Sequence, residues 1–189
     1  MAECNISSTS WTYNLAKKAS IKKQIELKPV DSGHIRIKID CFAVIPLDIF
    51  ARFHSEDGND GGYSVHLGSQ AFGHVITVAK DEAKFKVGDR VAVGMWRSAC
   101  GHCKECYRAR EDLCKKAEFI SSSTTGGYAT HIDVLSRWAY HVPESLPDEV
   151  VPAIISDGAA IYAAVERYVV NTDTVGIIGS GSMGQLALK

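Results

Sequence analysis

Along residues 33–41, GHIRIKIDC, the apolar positions Ile35, Ile37 and Ile39 interleave with Arg36, Lys38 and Asp40. A period of two puts the isoleucines on one face of a half-buried strand and the charged side chains on the other. Shorter runs of the same β character are GHVITVAK (73–80), RVAVGM (90–95), YATHIDV (128–134) and WAYHV (138–142), divided by turn-forming stretches such as GNDGG and VGD. Strands that follow one another with no long helix between them predict a small barrel or folded sheet, not a doubly wound domain, over residues 1–150.

The pattern changes near Ser145, where SLPDEVVPAIISDGAAIYAAVERYVV opens on a Ser-x-Pro-Asp helix start and runs on through alanine-rich sequence. A domain boundary is expected there. After Asn171 comes TVGIIGSGSMGQLALK, which reads as a short apolar strand, a glycine turn and the opening of a helix. Gly179, Gly181 and Gly184 form G-x-G-x-x-G in that turn. In this setting the first glycine makes the turn, the second lets the backbone approach a pyrophosphate, and the third lets helix and strand pack closely. Residues 151–189 therefore read as the start of a Rossmann dinucleotide-binding domain.

With 21 basic against 22 acidic residues the net charge is -1, so no overall field draws in nucleic acid or an anionic membrane. No run approaches the roughly 18 apolar residues of a membrane span, and MAECNISSTS lacks the basic start and apolar stretch of a signal peptide. The cytoplasm is the expected location, with no nucleic-acid or membrane partner.

Four of the six cysteines fall together as C-x2-C-x2-C-x7-C, at Cys100, Cys103, Cys106 and Cys114. In a reducing compartment such clustering points to metal, and four thiolates on short connected turns can close a tetrahedron about one zinc ion. All four ligands would be protein sulfur, so the ion would hold a lobe at 96–116 together and perform no chemistry. A nucleic-acid-binding zinc ribbon is the competing reading. It is disfavoured because Lys104, Arg108, Arg110, Lys115 and Lys116 are interspersed with Glu105, Glu111 and Asp112 rather than forming a basic stripe. His102, inside the first turn, is expected to be exposed and not a ligand.

With these residues in place, the sequence resembles the zinc-containing medium-chain dehydrogenases, in particular the cinnamyl-alcohol dehydrogenase-like branch. The matching pieces run in family order: IKIDC, FGH, KFKVGDRVAVG (84–94), the four-cysteine lobe, GGYATH (126–131), VPESLPDE (142–149) and VGIIGSGSMG (175–184). The resemblance implies a mostly β GroES-like domain with a structural zinc lobe, followed by the first βα unit of an α/β Rossmann domain. It also implies NADP rather than NAD as cofactor once that domain is complete, and a possible homodimer. A complete member requires roughly another 150–170 residues for the rest of the Rossmann plan and the return segment. A fragment and a naturally shortened relative are both open readings, and the 189 residues alone are expected to be inactive.

The resemblance also exposes a departure. In the family a catalytic zinc is held by a cysteine in C-H-[ST]-D, a histidine in G-H-E and a later cysteine before a helix. Here the matching segments are read as Ile45-Pro46-Leu47-Asp48, Gly73-His74-Val75 and Ile155-Ser156-Asp157-Gly158. On that reading only His74 survives as a ligand type, Ile45 and Ser156 replace the two cysteines, and Val75 stands in place of the glutamate. Leu47 replaces the hydroxyl that begins the proton relay. An alternative set, Cys41, His74 and Asp157, would require a shifted loop. His54, His66, His131 and His141 are expected in surface or core roles, and Trp96 and Trp138 in packing.

Three functions follow. The first is an NAD(P)-dependent alcohol dehydrogenase-like oxidoreductase with structural but no catalytic zinc, acting on a small-molecule alcohol, aldehyde or activated alkene. The second is a non-catalytic paralogue serving as a binding or oligomerisation module. The third is a conventional alcohol dehydrogenase with a displaced metal.

Overall fold

A computed structural model describes residues 6–14, 19–46, 48, 64–122 and 125–189. Its backbone is largely β. Strands β1 (Ile6–Asn14), β2 (Ala19–Leu27), β3 (His34–Phe42), β4 (Ser64–His66), β5 (Ala71–Val78), β6 (Arg90–Val93), β7 (Trp96–Ser98), β8 (Glu118–Phe119), β9 (His131–Leu135) and β10 (Ala139–His141) form three sheets. The orders are β2-β1-β4, β10-β6-β5-β3-β9 and β7-β8. Every pairing is antiparallel. This is the folded β architecture the alternation predicts.

The five-stranded sheet carries the core. Ile35 and Ile37 of β3 are buried among Val75, Val91, Val93, Ile132, Val134 and Ala139, with Phe85 and Ile120 closing over them. Burying one such side chain contributes about 1.5–3 kcal/mol. Arg36 departs from simple alternation: it is buried as well. Asp133 sits opposite it in the β3–β9 register, and its two oxygens accept from Arg36 Nε and Nη2 at 2.7 and 2.8 Å. A planar guanidinium satisfied by a bidentate carboxylate and by the Lys28 carbonyl can be buried at tolerable desolvation cost.

The β1–β2 hairpin is where hydrophobic periodicity falls silent. The inward positions of β1 are Ser8, Ser10 and Thr12, all fully buried. Ser8 Oγ donates to the His131 carbonyl at 3.2 Å, and Ser10 Oγ donates to the Thr125 carbonyl. Hydroxyls that find backbone acceptors can line an interior, and they leave no apolar stripe in the sequence.

Past Pro147 the chain turns helical through a short 3-10 turn, α2 (Val151–Ala153), a π-helical turn (Ile154–Gly158) and α3 (Ala159–Tyr168); the helix of the four-cysteine lobe is α1 (Lys104–Tyr107), and the last among the described residues is α4 (Ser182–Ala187). The predicted strand after Asn171 does not form a ladder: residues 173–180 have no strand partner, and Ile178 is fully exposed. A lone apolar strand has nothing to pair with, so the helix of the expected βα unit is present without its sheet. No helix among the described residues is long and apolar enough to cross a membrane.

Candidate functional site

The four cysteines come from one compact lobe. Cys100 precedes a tight turn, Cys103 is the N-cap of α1, Cys106 lies within it, and Cys114 caps the 3-10 turn Glu111–Leu113. Their sulfur atoms all lie within 4.8 Å of one another. Cys100–Cys106, Cys103–Cys106 and Cys100–Cys114 are 3.8, 3.5 and 3.6 Å apart. A zinc tetrahedron with about 2.3 Å bonds has edges of roughly 3.8 Å, whereas a disulfide would bring two sulfurs to about 2.05 Å. The four thiols can therefore hold one tetrahedral ion.

The backbone N–H of His102 leads the groups that draw the Cys100 thiol down to about 6, assisted by Cys103 and Cys114. Burial and the neighbouring cysteines push Cys106 up to about 12. His102 turns its Nδ1 onto the Cys100 carbonyl at 2.7 Å and stays exposed, so it is no competitor for the metal. The lobe is tied to the body by Arg137–Glu111 at 2.5 Å and by the β7–β8 pair, where Trp96 stacks on Phe119 with centroids 4.5 Å apart. Trp96 thereby takes the packing role expected of it.

A second constellation surrounds Asp48. Its buried carboxylate accepts from Ile45 N at 3.2 Å, Gly68 N at 3.1 Å, Ser69 Oγ at 3.2 Å and the Tyr128 hydroxyl at 2.7 Å. Burial, with Asp48 alongside, raises the Tyr128 phenol well above its ordinary range. The next residue, Gln70, is fully buried and donates from Nε2 to Asp157 Oδ1 at 3.0 Å, while its Oε1 has no partner among the described residues. Asp157 and Ser156 lie on the π-helical turn, an element frequent at functional sites. Ser156 faces the end of β6, with its Cβ 3.8 Å from the position a Cβ on Gly94 would take. Ile45, Ser69, Gln70, Ser156 and Asp157 thus converge at the mouth of β5 and β6.

Gly179, Gly181 and Gly184 lie in the turn that leads into α4. Gly179 has φ +113°, in the region that favours glycine, and Gly181 caps α4. A Cβ on Gly184 would run into the Gly179 carbonyl oxygen, so the third glycine is what lets helix and turn meet.

A family model for the alcohol dehydrogenase GroES-like domain matches residues 31–144. The chain belongs to this family. A probable cinnamyl alcohol dehydrogenase of Oryza sativa is 31% identical over 140 residues, which are 69% of this chain and 40% of the relative, and it places the chain in the cinnamyl-alcohol dehydrogenase-like branch. Among solved structures, CAD from Helicobacter pylori complexed with NADP(H) superposes with TM-score 0.87 at 23% identity, covering 98% of this chain and 56% of that one. A cinnamyl alcohol dehydrogenase of Sorghum bicolor gives 0.86 at 24%, covering 97% and 55%. At such identities these structures establish the fold. The chain spans about 40% of the length of the rice relative and a little over half of the two solved chains.

Within this family fold, the geometry changes which segment answers to G-H-E. His74 does not join the constellation around Ile45 and Ser156. It is four residues beyond Gln70, roughly 13 Å along a strand at about 3.3 Å per residue. There it sits opposite Lys38 and Arg90, with Nδ1 2.5 Å from Asp40 and its ring against Phe72. The segment beside Asp48 and Asp157 is Gly68-Ser69-Gln70, which puts Ser69 at the histidine position and Gln70 at the glutamate position. The dipeptide Gly73-His74 matched the motif by composition while lying one strand segment too far along. Ser69 and Gln70 were signalled only by two polar residues standing at the head of a buried run, Ala71-Phe72, where each needs a partner.

The alternative set of Cys41, His74 and Asp157 is not assembled. Cys41 Sγ donates to the Asp148 carbonyl at 3.1 Å, and burial, with Asp148, Asp40 and Glu149 nearby, raises its thiol above the ordinary value. Among the described residues, the four cysteines are the one group of three or more His, Cys, Asp or Glu side chains placed to hold an ion. Leu47 and His54 lie outside the described residues, as does the side chain of His66. His131 lies on β9 and His141 packs on Phe85 with centroids 4.4 Å apart, both away from this site.

Proposed function

We propose that the chain is the GroES-like part of an NADP-dependent alcohol dehydrogenase-like oxidoreductase that keeps the structural zinc and has no catalytic zinc. In this reading residues 1–150 form the catalytic-type domain, Cys100, Cys103, Cys106 and Cys114 hold one ion, and residues 151–189 begin the cofactor domain. Gly179, Gly181 and Gly184 approach the pyrophosphate there. The carrying observation is that the positions converging with Asp48 and Asp157 are Ile45, Ser69 and Ser156. Two hydroxyls and an alkyl chain are a poor ligand set for zinc, which takes thiolate, imidazole and carboxylate. His74, held on Asp40, is not part of it.

The substrate is then a small molecule whose reduction needs little Lewis-acid help, such as an activated alkene, in place of simple alcohol–aldehyde exchange. A catalytic zinc supplies on the order of several kcal/mol to that exchange. Zinc measured by mass spectrometry on the purified chain is expected at one ion per chain, and to remain one in the His74→Ala variant. Two ions per chain, or a loss on removing His74, would defeat this reading.

A non-catalytic binding or oligomerisation role is favoured by one observation. A cavity of about 640 Å³ between α3 and α4 is lined by Ile154, Ile161, Tyr162, Val165 and Leu186, with Tyr162 largely exposed. Sedimentation would report a homodimer through that face, and absence of NADPH binding by the same chain would select this second role over the first.

A further inference from the structure

We propose that Lys104, Lys115 and Lys116 are the counter-charge of the ion in the four-cysteine lobe and set how tightly the lobe holds it. The proposal rests on the reading above that the four cysteines bind one zinc ion; what it adds is a role for residues outside the coordination sphere.

Cysteine binds zinc as its thiolate, so four of them around one dication leave two negative charges on the filled site. Cys114 is buried and the other three are half-buried. A net charge withdrawn from water is costly unless opposite charge stands near it. The lobe carries that opposite charge. From Cys100 to Lys116 there are five basic residues against three acidic ones, an excess of two positive charges in a chain whose net charge is -1. That excess opposes the charge of the filled site.

The geometry selects which cations act. Arg110 pairs with Asp112 at 3.7 Å, and Glu111 is held by Arg137 at 2.5 Å. Lys104, Lys115 and Lys116 are exposed and have no carboxylate partner among the described residues. All three line one cavity of about 380 Å³ whose wall also includes Cys100, Cys103 and Cys114. Glu105 is the single carboxylate on that wall. The same stretch supplies a polar contact to sulfur, because the backbone N–H of Lys116 donates to Cys114 Sγ at 3.4 Å. An ammonium group on a flexible stem offers only donors, so it can stand beside a metal-bound thiolate without competing for the metal. Attraction acting through solvent over about one Debye length changes affinity about twofold per lysine, and roughly tenfold for the three.

The test uses the full chain and zinc itself. Dissociation constants are read by competition with a chromogenic chelator at fixed pH, in about 0.1 M and about 1 M salt, where the Debye lengths are about 10 and 3 Å. The ratio of variant to wild type cancels the chelator's own response to salt. The triple variant Lys104→Gln, Lys115→Gln, Lys116→Gln is expected to bind zinc roughly tenfold more weakly at the lower salt and within about twofold of wild type at the higher. Lys104→Arg, Lys115→Arg, Lys116→Arg should keep the wild-type constant, since it keeps the charge. Cobalt bound in place of zinc reports on the ligands, and its sulfur-to-metal absorption should be the same in all three proteins. A ratio near one at the lower salt, a ratio undiminished at the higher, or a changed cobalt spectrum would overturn the proposal. A wild-type chain that takes up no zinc would defeat the reading on which the proposal rests and the proposal with it, and that outcome is seen without any variant.

Discussion

Replacing Asp48 with alanine removes one acceptor group from four donors at once. Ile45 N, Gly68 N, Ser69 Oγ and Tyr128 Oη all point at that carboxylate from 2.7–3.2 Å, and the side chain is almost wholly buried. A buried donor left unsatisfied costs about 1–3 kcal/mol, and hydrogen bonds to a charged group fall in the upper part of that range. Ser69 can rotate its hydroxyl and the Tyr128 phenol is only half-buried, so those two donors recover part of their loss to water. The two backbone N–H groups have no such freedom. The net destabilisation is thus about 3–5 kcal/mol, a large share of the roughly 5–15 kcal/mol that holds a domain together. Urea unfolding followed by tryptophan fluorescence measures it as a shift in midpoint at unchanged slope. Tyr128→Phe alone should cost about 1–2 kcal/mol, and the double variant should cost less than the sum, since both remove the same bond. If Asp48→Ala loses under about 1 kcal/mol, the carboxylate is not the organiser of this corner, and the convergence of Ile45, Ser69 and Gln70 has another cause.

Three further outcomes check other parts of the structure. The triple variant Ile45→Cys, Ser69→His, Ser156→Cys should raise the zinc content from about one to about two per chain, since it installs thiolate and imidazole at the converging positions; a content that stays at one would show that these three do not share a site. Gly184→Ala should strain the turn by about 1–3 kcal/mol, because its Cβ meets the Gly179 carbonyl, and so speed amide exchange across α4 roughly tenfold or more; unchanged exchange would refute that contact. Burial, then Arg36 and Lys38, hold the His131 imidazole below its ordinary value, so the unfolded chain takes up a proton first and stability should fall as the pH drops below about 6.5. His131→Gln should flatten that slope in urea midpoints taken between pH 7.5 and 5.5, and an equal slope in both proteins would assign it elsewhere.

The parts of the fold that were legible in the sequence are those where burial and apolarity coincide. The isoleucines of β3 announce their strand because the same residues that alternate are those that fill the core. Strand β1 was not legible, since its inward side chains are hydroxyls, of which those of Ser8 and Ser10 reach the carbonyls of His131 and Thr125, more than a hundred residues away in the chain. Those partners exist only after folding. The four-cysteine lobe was legible for the opposite reason: its sulfurs are local, and spacing alone brings all four within reach of one ion. The strand expected after Asn171 fails because strand formation is a property of pairs, and the described residues supply no neighbour.

The corner beside Asp48 was the hardest to read because the positions gathered there carry ordinary residues. Ser69 and Ser156 resemble loop serines, and Gln70 resembles a surface residue until Asp157, 87 positions away, is seen to hold it. His74 drew attention because histidine is a ligand type, although the strand carries it past the site to Asp40. The exchange also changes the electrostatics in a direction that a motif search does not register. On the proposed reading the catalytic dication and its two thiolate ligands are gone, and with them the several kcal/mol that the metal supplies to a transition state that builds negative charge.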